Sequence, residues 1–214
     1  MSISHHFRHK LSIVRRAATS DVRRTRYEVR LMHMATPRTI KLILGIGNPE
    51  AALENTYHNA GMLALEYLAA RDGAPAFRRV SHKAFSYARG THFIFARSLV
   101  YMNESGRSAQ DACVFFKVHP NALLILHDES DLVLGSFKLS SSQGAAGHKG
   151  VASIAHTLGT NSFGRVRIGI RPKETVRRKA GEFVLSPIPP GDYAELTNVF
   201  KKIGVFLGLD YEAD

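Results

Sequence analysis

IKLILGIG, residues Ile40–Gly47, is an apolar run that stops abruptly at Asn48. Two further runs end the same way, Phe93–Val100 at Tyr101-Met102-Asn103 and Ala122–Leu126 at His127-Asp128. Short stretches rich in Val, Ile, Leu and Phe between loop signals read as buried strands. Each is followed by a segment with helical spacing, and strands alternating with helices predict an α/β domain with a mostly parallel sheet. In an open sheet of that kind the strand ends meet at one edge, where ligands bind.

The intervening segments support this reading. Gly61–Arg71 reads as a helix capped by Asn59 and stopped at Asp72-Gly73. A loop containing Pro75, Arg78 and Arg79 leads to a strand region from about Phe85 to Val100. Ser105-Gly106 opens a helix with Ala109, Ala112, Cys113 and Phe116 on one stripe. Val151, Ile154, Ala155 and Leu158 mark another helix, ended by Gly159. A strand over Arg165–Ile170 follows, and Asp192 is expected to cap a last amphipathic helix.

With 214 residues, 44% of them hydrophobic, the chain can bury one full core. No apolar stretch is long enough to cross a bilayer. The single cysteine, Cys113, excludes an intramolecular disulfide and a multi-cysteine zinc site, and its place on an apolar stripe predicts an inert buried thiol.

Charge divides the chain. Residues 1–38 hold nine Lys/Arg against two acids, so this segment carries +7 of the formal +11. The segment is Arg-rich and acid-poor, and Ile3, Phe7, Leu11 and Val14 fall on one helical face. It reads as a basic leader, either a mitochondrial transit peptide or a disordered tail, with residues 39–214 forming the α/β domain. Met32 or Met34 offers a start for a shorter cytoplasmic form.

The chemistry-bearing residues collect around the predicted strand ends. His58 is the candidate general base, because imidazole titrates near neutrality. Asp128 is the candidate partner that orients its ring. Asn48 and Asn103 offer neutral amide donors for a carbonyl or an oxyanion, or simply form turns. Gly144–Gly150 runs into a helix start and reads as an anion cradle or a tight loop. From Arg165 to Lys179 seven basic residues face one acid, Glu174, which suits phosphate contact or a solvated loop. His127, Asp128, Glu129 and Asp131 alternate in a strand and cannot all converge, so a metal is not expected. GIGNPE at 45–50 lacks the third glycine of a dinucleotide-binding turn.

Taken together, GIGNP (45–49), YHNAG (57–61), YMNESG (101–106), HDESDLVLG (127–135), GHKG (147–150) and VRIGIRP (166–172) resemble the bacterial-type peptidyl-tRNA hydrolases, a family also found in mitochondria. The resemblance implies one α/β domain whose twisted, mixed but mostly parallel sheet is flanked by helices. It implies hydrolysis of the ester between a peptide and the terminal ribose of tRNA, with no metal or organic cofactor, by a monomer. By motif, the catalytic pair falls on His58 and Asp128, and substrate contacts fall on Asn48, Asn59, Met102, Asn103 and Lys149. Arg167 matches a tRNA-facing position, with Lys138, Arg165 and Arg171 expected to share that contact.

The chain departs from the family pattern at Tyr57, where Arg is usual, at Glu50 for Gly, at Leu53 for Tyr and at Lys149 for Asn. Ser142-Gln143 replaces glycine in the loop before GHKG, and Ser140 replaces a second basic residue. Lys149 and Tyr57 motivate an alternative, a catalytically weakened RNA- or ribosome-binding protein on the same fold.

Overall fold

The computed structural model describes residues 39–142, 144–172 and 183–209. The basic leader and residues 173–179 of the Lys/Arg-rich loop lie outside the described residues.

Seven strands form one mixed sheet: β1 (Leu42–Gly45), β2 (Arg78–Arg79), β3 (Phe85–Arg89), β4 (Ile94–Ser98), β5 (Leu123–Val133), β6 (Phe137–Ser141) and β7 (Gly164–Arg171). Their order is β2-β3-β4-β1-β5-β7-β6. The central strands β4, β1, β5 and β7 run parallel, while β2, β3 and β6 are antiparallel additions at the edges. Four helices cover the sheet: α1 (Ala60–Arg71), α2 (Ser105–Phe116), α3 (Lys149–Leu158) and α4 (Pro190–Leu207). Leu65, Leu68, Leu196 and Phe200 bury one face of the sheet beneath α1 and α4. Ala109, Ala112, Val151 and Ile154 bury the other beneath α2 and α3.

Three expectations are corrected. The region from Phe85 to Val100 is two antiparallel strands joined by a turn at Gly90. Carboxylate Asp72 holds that turn by accepting the His92 and Phe93 amides at 3.0 Å. The strand ending at Asp128 continues to Val133, and β6, a strand the sequence did not place, pairs beside β7. Pro189, not Asp192, precedes α4; Asp192 lies in its first turn. Asn59 does occupy the position before α1, but its side chain makes no capping bond.

Close backbone approach seats α1 on the strand ends. A methyl group at Gly61 would lie 2.2 Å from the Leu126 carbonyl oxygen and 2.8 Å from that of Ile46. Both neighbours are main chain and have little room to yield. Gly61→Ala is therefore expected to destabilise the fold by about 1–3 kcal/mol, the usual range for overpacking, measured by urea denaturation.

Candidate active site

The strand ends bring His58, Asp128 and Asn48 together. His58 lies in a short 3-10 turn, Tyr57–Asn59, just before α1. Its Nδ1 is 3.0 Å from both carboxylate oxygens of Asp128, which lies on β5 and is 3% exposed. A carboxylate accepts, so Nδ1 carries the proton and Nε2 keeps its lone pair. Among the described residues Nε2 has no partner, so the basic atom of the ring is available to a reactant.

A second imidazole shares the same carboxylate. His148 Nε2 donates to Asp128 Oδ1 at 3.0 Å, while its Nδ1 accepts the Val151 amide at 3.3 Å and caps α3. His127, wholly buried, donates from Nδ1 to the Asp128 carbonyl and packs its ring 4.6 Å from that of His148. Sequence reasoning quoted His148 within GHKG but gave it no role. The available signal was its place just before a helix, where a capping side chain is favoured.

Burial alone would raise the Asp128 pKa. The charge and hydrogen bonds of His148 and His58 outweigh it and hold the carboxyl well below its usual range. Burial likewise depresses His58, but the Asp128 hydrogen bond and charge prevail and leave it above 6.5. Lys149 opposes that rise through like-charge repulsion. Because Lys149 disfavours the imidazolium, Lys149→Asn is expected to move the acid limb of the pH–rate profile to higher pH.

His58, Asp128 and His148 also place possible metal-ligand atoms within 4.8 Å of one another. This set differs from the one weighed from sequence. The Val151 amide occupies the His148 Nδ1 lone pair, which assigns the ring proton to Nε2, the atom a metal would need. The two imidazoles thus form a hydrogen-bonded relay on one carboxylate, each donating to Asp128.

Asn48 is oriented from three sides. Its amide N–H donates to Asn59 Oδ1 at 2.7 Å, and its carbonyl accepts from Asn59 Nδ2 at 3.0 Å. Its side-chain Oδ1 accepts the Met102 amide at 3.1 Å. With Oδ1 taken, Nδ2 is the group left to donate. Asn59 is 2% exposed and uses both amide atoms on Asn48, so it braces the site instead of facing the cleft. Met102 is 4% exposed, and Asn103 follows it, exposed, in the same turn.

Two departures from the family pattern make contacts of their own. The Tyr101 hydroxyl donates to the Glu50 carboxylate, joining the loops that carry Asn48 and Asn103. The Tyr57 hydroxyl donates to Asp192, joining the His58 turn to α4. That turn is also held by His58 N–H to the Val184 carbonyl at 2.8 Å and Ile188 N–H to the Asn55 carbonyl at 2.9 Å. Its geometry thus depends on residues 183–192.

The basic candidates separate. Lys138 and Arg167 are cross-strand partners, Lys138 exposed and Arg167 bound through Nε and Nη2 to Glu129 at 2.9 and 2.8 Å. Arg171 is half-buried at the end of β7. Arg165 is 2% exposed and donates to the Gly144 carbonyl, so it supports the loop before α3 and is not a surface contact. Cys113 is buried, and burial pushes its thiol up to about 11, as suits an inert side chain.

The family model described as peptidyl-tRNA hydrolase matches residues 42–209. Over 164 residues the chain is 40% identical to the peptidyl-tRNA hydrolase of Sorangium cellulosum, covering 75% of this chain and 74% of that one. Identity to the Aquifex aeolicus peptidyl-tRNA hydrolase is 36% over 166 residues, covering 76% and 85%. The crystal structure of the Acinetobacter baumannii peptidyl-tRNA hydrolase superposes with a TM-score of 0.70 at 27% identity, over 83% of this chain and 95% of that one. The chain belongs to the peptidyl-tRNA hydrolase family.

Proposed function

We propose that this protein hydrolyses the ester joining a peptide to the terminal ribose of tRNA, and so recycles tRNA from stalled or aborted translation. The observation that carries the reading is the His58–Asp128 pair, with its free Nε2, beside an Asn48 amide whose donor end is unspent. Water gives its proton to His58 Nε2 as its oxygen attacks the ester carbonyl. The tetrahedral oxyanion is held by Asn48 Nδ2 and the Asn103 amide. Collapse breaks the bond to the ribose oxygen, which takes the proton back from His58. A peptide carboxylate and free tRNA result.

Lys138, Arg167 and Arg171 are read as contacts to tRNA phosphates, so substrate affinity should fall as salt rises. Residues 1–38 precede the family match and keep the composition of an organelle leader, which supports a mitochondrial location. No helix among the described residues is long and apolar enough to cross a membrane. The intact relay weighs against a protein kept only for binding.

The purified protein given peptidyl-tRNA should release free peptide and deacylated tRNA. Intact substrate after prolonged incubation would refute the activity.

A further inference from the structure

Arg97, Arg107 and Arg167 each donate to an acid, Glu66, Glu104 and Glu129, at 2.8–3.0 Å. Arg78, Arg79 and Arg89 are also exposed but have no carboxylate partner among the described residues. All three lie on β2 and β3, the end of the sheet remote from β6 and β7. Asp111, on α2, is already held by Lys83 and the Ala84 amide.

Two of these three guanidinium groups lie over aromatic rings. Arg78 Cζ lies 4.6 Å from the Tyr87 ring centre, and Arg89 Cζ lies 5.2 Å from that of Phe116. The Tyr87 and Phe116 rings meet at 5.1 Å. Phe115 packs on Phe116 at 4.9 Å and remains 43% exposed at the last turn of α2. That helix begins beside the cleft at Ser105, and twelve residues of helix place its far end about 17 Å away along the axis. This surface therefore lies apart from the catalytic cleft.

Exposed cations without acids call for a polyanion, and an exposed ring among planar cations suits an unpaired base. A duplex keeps its bases stacked inside and would leave Phe115 unused. We propose that the β2–β3 edge and the end of α2 form a second RNA-binding surface, for a single-stranded segment. Phe115 stacks a base while Arg78, Arg79 and Arg89 contact flanking phosphates. The proposal does not depend on the ester-hydrolase reading.

The test uses the full chain and a fluorescent twelve-nucleotide oligouridine, with binding read by anisotropy across a salt series. Replacing Arg78, Arg79 and Arg89 together with Gln should lower the salt slope by about 2, three single-strand phosphate contacts at roughly 0.7 each. Phe115→Ala should weaken binding roughly 5- to 100-fold through loss of one stacked base. Both variants should keep the parent's far-UV circular dichroism and thermal midpoint, which shows that they fold. Because the leader attracts RNA too, an oligomer carrying 4-thiouridine is photocrosslinked and should mark residues 114–117. Unchanged affinity and slope in both variants, or crosslinks confined to the leader or the cleft, would overturn the proposal. Equal competition by polyglutamate at matched charge would also overturn it, and would assign the surface to an acidic protein instead.

Discussion

Replacing His58 with alanine should lower the turnover of peptidyl-tRNA by roughly 10²–10⁴, the usual contribution of a positioned general base, while tRNA binding is retained. The ring's Nδ1 is fixed 3.0 Å from the Asp128 carboxylate, and its Nε2 carries a lone pair with no partner among the described residues. None of the residues read as tRNA contacts touches it. Single-turnover hydrolysis beside tRNA anisotropy separates the two effects. Hydrolysis at the parent rate would show that water is activated elsewhere.

Asp128→Asn is expected to cost a comparable factor, roughly 10²–10⁴, for a different reason. The carboxylate accepts from both His58 and His148, whereas an amide offers one oxygen and an N–H₂. An N–H₂ facing His58 Nδ1 favours the opposite tautomer, with the ring proton on Nε2, where the base must be empty. The pH dependence gives an independent sign. Burial depresses the His58 pKa, and Asp128 more than reverses this through its hydrogen bond and charge. Without Asp128, burial and Lys149 are left to lower it, so the acid limb of the residual activity should move to lower pH. A limb that stays in place or rises would show that Asp128 does not govern the ring.

The two directions can be read against each other. Loss of Asp128 moves the limb down and loss of Lys149 moves it up, because one group favours the imidazolium and the other opposes it. A variant that merely loosened the fold would not produce opposite shifts at neighbouring positions.

Much of this arrangement is legible in the residues. The apolar runs at Ile40, Phe93 and Ala122 became three adjacent parallel strands, and beyond the first two, Asn48 bonds the Met102 amide. The stripes of α2, α3 and α4 are buried as their spacing requires. The misses share a physical cause, long-range pairing. The Gly90 turn is stabilised by Asp72, eighteen residues earlier in the chain, so the hairpin leaves little local trace. Strand β6 is short and ends in serines, and only its register with β7 makes it a strand.

That missed strand explains the misreading of Arg165. Arg165, Arg167 and Arg171 are at alternate positions of β7 and share one face of it. With Ser140 paired beside it, Arg165 is enclosed and turns inward to the Gly144 carbonyl. Asn59 was misplaced for a related reason, since its amide is satisfied by Asn48, eleven residues upstream. His148 meets Asp128 across twenty residues of intervening chain, a proximity that no local pattern encodes.

The fastening of the 55–59 turn by Val184, Ile188 and Asp192 has a consequence during synthesis. These anchors, at residues 184–192, are translated more than a hundred residues after His58. The His58 turn is therefore completed only by residues that follow the last strand of the sheet, so its geometry is set after every strand has been made.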